Sequence, residues 1–69
     1  MKVEKPKQRT ILLVEDEAII AMSEAQAIED FGYRVLTADS GDTAVVMAAE
    51  NTDIDLILMD IDLGDGIDG

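Results

Sequence analysis

Apolar runs and amphipathic segments alternate along the chain. The run 10–14 is aliphatic and β-branched with charged residues on both sides, which predicts a strand buried on both faces. Similar runs predict strands over 34–38 and 56–59, while helical spacing predicts helices over 18–31 and, after the turn 39–42, to about residue 51. This order predicts parallel strands joined by right-handed crossovers, an α/β fold.

The apolar positions of each helix predict which face packs on the sheet. In the first helix, the predicted packed positions are Ile20, Ala27, Ile28 and Phe31. The polar residues assigned to its other faces are Glu24, Gln26, Glu29 and Asp30. In the second helix, the predicted packed positions are Ala44, Val45, Ala48 and Ala49.

Both ends of the first helix carry sequence signals. Asp16 or Glu15 is expected to cap the first turn, because a carboxylate can accept hydrogen bonds from the free N–H groups there. Gly32 follows the last apolar residue, and glycine readily adopts the left-handed conformation that closes many helices. The first helix is therefore expected to end just before Gly32.

The composition excludes several kinds of site. The 69 residues include no His and no Cys, which rules out zinc fingers, iron–sulfur clusters, thiol nucleophiles and Ser/His/Asp triads. Any metal site must therefore use a hard cation bound by oxygen. No apolar run approaches the roughly 20 residues of a membrane span, and the first ten residues lack the apolar stretch of a signal peptide, so a cytoplasmic location without membrane contact is expected.

Acidic residues dominate the charge. Asp and Glu number 16 against 5 Lys and Arg, and the formal net charge is −11. Residues 1–9 carry a net charge of +3 and are expected to form a flexible basic leader, whereas residues 10–69 carry −14. Because a body this acidic repels phosphate backbones, this segment is not expected to bind nucleic acid.

Acidic residues follow two of the predicted strands. Glu15 and Asp16 come directly after the first strand, and Asp60 and Asp62 come after the third. A parallel sheet collects the carboxyl ends of its strands along one border, so these carboxylates converge if the two strands are neighbours. Converging carboxylates favour Mg²⁺ or Mn²⁺, and an aspartate beside such an ion can accept a phosphoryl group.

These motifs resemble a known family. The segments ILLVEDE, FGY, RVLTA, DSGDTA and LILMDIDLGDGIDG, running from Thr10 to Gly69, resemble the CheY-like receiver domain of two-component response regulators. The resemblance implies a flavodoxin-like doubly wound parallel sheet with strand order 2-1-3-4-5. Residues 10–69 would form its N-terminal half, which is three strands, the two helices between them and the following loop.

The resemblance also implies a role for each acidic residue. Asp60 matches the aspartate that accepts the phosphoryl group, Asp16 matches a direct Mg²⁺ ligand, and Glu15 matches a neighbour that acts through water. Asp62 matches the position whose backbone carbonyl completes the metal shell. The donor would be a sensor histidine kinase or a phosphotransfer protein, and the chain would promote its own modification without being an enzyme for a free metabolite.

The resemblance implies further strands as well. Receivers continue through two more strands that supply a Ser or Thr hydroxyl and a Lys to the phosphoryl site, and neither residue can be assigned within residues 1–69. The third strand would then border the absent half. Because an exposed apolar strand edge invites pairing with another chain, self-association through this strand is expected.

Two other functions stay open at this point. The segment LILMDID also resembles the Asp-x-Asp motif of haloacid-dehalogenase phosphatases, with Asp60 as nucleophile and Asp62 as general acid. That motif leaves Glu15 and Asp16 without a role. The other alternative is a receiver-like interaction fragment that is not phosphorylated.

Overall fold

The computed structural model of the chain describes residues 8–60. Strand β1 spans Thr10–Val14, helix α1 spans Ala18–Asp30 and strand β2 spans Arg34–Ala38. Helix α2 spans Gly41–Glu50, and strand β3 spans Leu56–Met59. The three strands agree with their predicted bounds, and the predicted alternation of strands and helices is confirmed. The predicted leader, except for residues 8 and 9, and everything after Asp60 lie outside the described residues.

The three strands form a parallel sheet in the order β2-β1-β3. Residue Val14 at the end of β1 lies opposite both Ala38 of β2 and Met59 of β3. All five residues of β1 are buried, because this strand has a neighbour on each side and a helix over each face. The predicted flavodoxin-like, doubly wound parallel arrangement is confirmed for these elements.

Successive residues of β1 face opposite sides of the sheet. Leu12 and Val14 pack with Ala38 and with Ala44 of helix α2 to form the core on one side. Leu36, Met47 and Ile54 lie against this cluster. Leu13 is also fully buried, and it faces the side on which α1 packs.

The packed face of α1 differs from the prediction. Ala21 is its buried residue, and Ile28 is half-buried as expected. Ile20 is 41% exposed, Phe31 is 82% exposed and Ala27 is exposed as well, so placing these three residues on the packed face was wrong. The part of α1 that is most buried is therefore the small Ala21 side chain and not a large apolar residue.

The capping prediction for the N-terminal end of α1 was wrong, and the prediction for its C-terminal end is confirmed. Glu17, rather than Asp16 or Glu15, is the N-cap residue, and its side chain makes no capping hydrogen bond. At the other end, Gly32 has φ +100°, the left-handed conformation predicted for it. Its N–H donates to the Glu29 carbonyl oxygen at 2.8 Å, which satisfies a free carbonyl of the last turn.

Helix α2 begins with the turn that the sequence predicted. Ser40 is its N-cap, and Ser40 Oγ accepts a hydrogen bond from the Thr43 N–H at 3.1 Å. Ala44 is buried, with Met47 and Ala48 half-buried behind it. The predicted packing of Val45 and Ala49 was wrong, because the helix turns both of these side chains to solvent.

Strand β3 lies at an open edge of the described sheet. Its four apolar residues are between 43% and 61% exposed, although the strand is paired along its length with β1. Among the described elements β3 contacts only β1. Neither helix within residues 8–60 has the length and apolar character needed to cross a bilayer.

Candidate functional site

Two acidic residues are fixed by the backbone at the carboxyl border of the sheet. The N–H of Glu15 donates to the Ala38 carbonyl oxygen at 2.9 Å, and the N–H of Asp60 donates to the Val14 carbonyl oxygen at 2.7 Å. Each bond continues the ladder one residue past the end of a strand. Glu15 and Asp60 therefore lie side by side on neighbouring strands, as the sequence predicted.

Three carboxylates converge at this border. Glu15, Glu24 and Asp60 each contribute one carboxylate oxygen to a group in which all three atoms lie within 4.8 Å of one another. Glu15 is 4% exposed, Glu24 is half-buried and Asp60 is exposed. The buried Glu15 carboxyl thus lies on the inner side of the site, and the Asp60 side chain lies on its solvent side.

The third carboxylate, Glu24, comes from helix α1 and was not predicted. Assigning Glu24 to an exposed face was wrong, because it lies three residues after buried Ala21 and four before half-buried Ile28. Side chains of a helix tilt toward its N-terminus, which for α1 is the end at the carboxyl border of the sheet. A glutamate at this position can therefore reach back to Asp60, and spacing from Ala21 and Ile28 was the signal available in the sequence.

The environment of Glu15 raises its pKa. Its Oε2 accepts a hydrogen bond from the Glu17 N–H at 3.0 Å, which by itself lowers the pKa. Burial and the neighbouring carboxyl groups of Asp16 and Asp60 outweigh this bond, so the pKa of Glu15 lies above its ordinary value. The charged form of Glu15 is therefore disfavoured until positive charge enters the site.

Glu24 is perturbed more strongly. A proton shared with the Asp60 carboxyl, together with burial and the negative charges of Asp60 and Glu15, raises the pKa of Glu24 to about 7. Glu24 Oε1 has almost no accessible surface and accepts no hydrogen bond from residues 8–60. Ionised Glu24 therefore lacks a compensating group.

These donors fit a hard divalent cation. Carboxylate oxygens are the preferred ligands of Mg²⁺ and Mn²⁺, and the three oxygens at the border are mutually close. A cation would offset the repulsion among the three carboxylates. The three convergent carboxylates thus suit the class of cation that the sequence predicted.

The other two predicted ligands are placed differently. Asp16 is exposed, and the set of three convergent carboxylates does not include it. Asp62, predicted to act through its backbone carbonyl, lies outside the described residues. The roles of Asp16 and Asp62 stay predictions.

Comparisons with known proteins find a matching family model and a similar curated protein. The family model described as the response regulator receiver domain matches residues 11–69. The phyllosphere-induced regulator PhyR of Methylorubrum extorquens is 42% identical over 60 residues, which cover 86% of this chain and 22% of that protein. The chain therefore spans about a fifth of the length of this curated relative. No solved structure matches the chain significantly.

Proposed function

Because the chain belongs to the family of response regulator receiver domains, we propose that it accepts a phosphoryl group on Asp60 from a histidine kinase or a phosphotransfer protein. The observation that carries this proposal is the position of Asp60. Its carboxylate is exposed at the end of β3 and lies within 4.8 Å of carboxylates from β1 and α1. A donor can approach Asp60, while the buried Glu15 stands behind it.

The proposed reaction is a transfer between two nucleophiles. A carboxylate oxygen of Asp60 forms a bond to phosphorus as the bond from phosphorus to the imidazole nitrogen of a phosphohistidine breaks. The electron pair of the broken bond stays with the imidazole, and Asp60 becomes an acyl phosphate. The hydrogen bond from the Asp60 N–H to Val14 fixes the backbone from which the attacking side chain projects.

A divalent cation is part of the proposal. Glu15, Asp16 and Asp60, with the backbone carbonyl of Asp62, are the residues that would hold Mg²⁺ or Mn²⁺. When bound, the cation supplies positive charge beside the incoming phosphoryl group. The hydrogen bond from the Glu17 N–H orients the Glu15 carboxylate toward this site.

The consequence of phosphorylation is proposed to be a change of surface. A receiver of this kind is a phosphoprotein that promotes its own modification, and it does not turn over a free metabolite. Phosphorylation would bias a surface that an output module or a partner recognises. We place this reaction in the cytoplasm and assign no nucleic-acid contact to this segment, in keeping with its acidic charge.

The test is phosphorylation of the full-length protein that contains residues 10–69. The protein is incubated with acetyl phosphate and MgCl₂, and intact mass spectrometry measures the addition of one phosphoryl group. We expect an adduct on the wild type and on the control Asp30→Asn, which makes the same chemical change at the far end of α1. We expect none on Asp60→Asn, and an adduct that survives in this variant would refute the assignment.

The same experiment separates the phosphatase alternative. A haloacid-dehalogenase-like enzyme would consume the donor catalytically and would depend on Asp62 as well as Asp60. The receiver proposal instead predicts no more than one phosphoryl group per chain and an adduct that persists in Asp62→Asn, because only the backbone carbonyl of Asp62 is assigned a role.

A further inference from the structure

We propose that Glu24 is a direct ligand of the divalent cation, supplied by helix α1 in addition to the residues at the strand ends. This inference rests on the proposed function, because it concerns the same cation. It assigns a role to a helical residue that the acidic motifs after β1 and β3 do not contain. With Glu24, the cation site draws on three separate elements of the fold.

The first support is geometric. Glu24 lies about 9 Å along α1 from the first residue of the helix, at 1.5 Å per residue. Its side chain nevertheless places an oxygen within 4.8 Å of oxygens of Glu15 and Asp60, because helical side chains lean toward the N-terminal end. Oxygens that bind one small cation must approach each other to this degree.

The second support is the buried oxygen of Glu24. Oε1 has almost no accessible surface, and no group in the described part of the chain, residues 8–60, donates a hydrogen bond to it. Water and surface cations cannot easily compensate such an atom, and an ionised carboxylate left in this state is costly. The carboxylate that contains this oxygen lies beside those of Glu15 and Asp60, so a cation bound there would compensate its charge.

The third support is the contrast with the other acids of α1. Glu29 and Asp30 are exposed on the same helix, and Asp30 has a partner in the Gln26 side chain, whose Nε2 donates to Asp30 Oδ1 at 3.0 Å. Glu24 alone among these three belongs to the convergent carboxylates. The helix thus directs one acidic side chain to the border of the sheet, and the other two point to solvent.

The test measures cation binding by the chain without any phosphodonor. Isothermal titration calorimetry with MgCl₂, and the electron paramagnetic resonance signal of free Mn²⁺, give the dissociation constants. We expect Glu24→Gln to weaken binding of both ions by about 10-fold or more, the range seen when a group supporting a metal site is lost. The matched control is Glu29→Gln, which removes the same charge from an exposed position and should change binding less than twofold.

A second variant protects the test against a purely electrostatic effect. Glu24→Asp keeps the negative charge but withdraws the carboxylate by one methylene group, so a direct ligand should lose most of its contribution in this variant too. Circular dichroism checks that each variant is folded. Equal binding by Glu24→Gln and Glu29→Gln would overturn the proposal, as would wild-type binding by Glu24→Asp.

The outcome is distinguishable from the fate of the proposed function. If Asp60 is phosphorylated and Glu24→Gln binds cations as the wild type does, the receiver function stands and the role of Glu24 fails. If Glu24→Gln weakens cation binding and no phosphoryl adduct forms on Asp60, the ligand role stands and the phosphoryl-acceptor function fails.

Discussion

The raised pKa of Glu24 predicts how the stability of the chain depends on pH. The ordinary pKa of this carboxyl is 4.5, and its value in the folded chain is about 7. At pH 6 the folded chain therefore holds about nine-tenths of a proton on Glu24, while the unfolded chain holds only a few hundredths. Because the folded state binds more protons, this residue makes stability fall as pH rises.

The pH window follows from the two pKa values. Below about pH 4.5 Glu24 is protonated in both states, and its favourable contribution is fully present. The contribution is lost as pH rises through about 7, where the folded carboxyl ionises beside Asp60 and Glu15. Other acids of the chain titrate at low pH as well, so the contribution of Glu24 must be isolated by comparing variants.

The assay is urea unfolding in the absence of divalent cations at pH 5, 6, 7 and 8, followed by circular dichroism. Between pH 5 and 8, the free energy of unfolding of the wild type should fall relative to that of Glu24→Gln. The slopes of the two free energies against pH should differ by an amount that corresponds to no more than one bound proton. Glu29→Gln should follow the wild type. Parallel stability curves for the wild type and Glu24→Gln across this range would refute the perturbed environment of Glu24.

Three further predictions concern the scaffold. Leu12→Ala should lower the free energy of unfolding by about 2–5 kcal/mol, because Leu12 is fully buried. Val45→Ala, at an exposed position, should change it by less than about 0.5 kcal/mol. Similar midpoints of urea unfolding for the two variants would contradict the assigned core. Gly32→Ala should lower the free energy of unfolding by about 1–2 kcal/mol, because Gly32 has φ +100° with open space around it. Gly41→Ala should not be destabilising. Thermal unfolding compares the two variants, and equal melting temperatures would count against a left-handed helix end. The exposed edge of β3 should let the chain self-associate, and more strongly at high salt, which screens the net charge of −11. Light scattering should show a monomer for Leu58→Lys. A wild-type chain that stays monomeric at high concentration and high salt would exclude this contact.

The bounds of the strands were predicted to the residue, because a run of apolar residues indicates a strand without any assumption about which face of the element is buried. The segments 10–14 and 56–59 are apolar runs between charged or polar residues, although of these two strands only 10–14 is buried in the structure. The helices were located well but rotated wrongly. In α1 the buried residue is the small Ala21, which was not predicted, whereas in α2 the predicted Ala44 is buried and the predicted Val45 is exposed. Only the contact with the sheet determines which face of such a helix is buried.

The same reason explains what was predicted at the site. Glu15 and Asp60 follow strands, so their meeting at one border depends only on topology, which alternating strands and helices already indicate. Glu24 reaches the border through the rotation of α1 and the length of its side chain. Glu24 lies four residues after Ile20, so helical spacing puts it on the same side of α1 as the predicted apolar positions, yet it was assigned to another face.

The attachment of β3 through a single neighbour links the order of assembly to the site. Glu15 and Asp60 are separated by 45 positions in the chain, and their carboxylates meet only when β3 has docked on β1, the slow kind of non-local pairing. A ligand that binds Glu15 and Asp60 together recognises only the docked strand and must favour docking by mass action. Ligand binding at the carboxyl border and docking of β3 on β1 are therefore thermodynamically coupled, so that a change in one can be measured through the other.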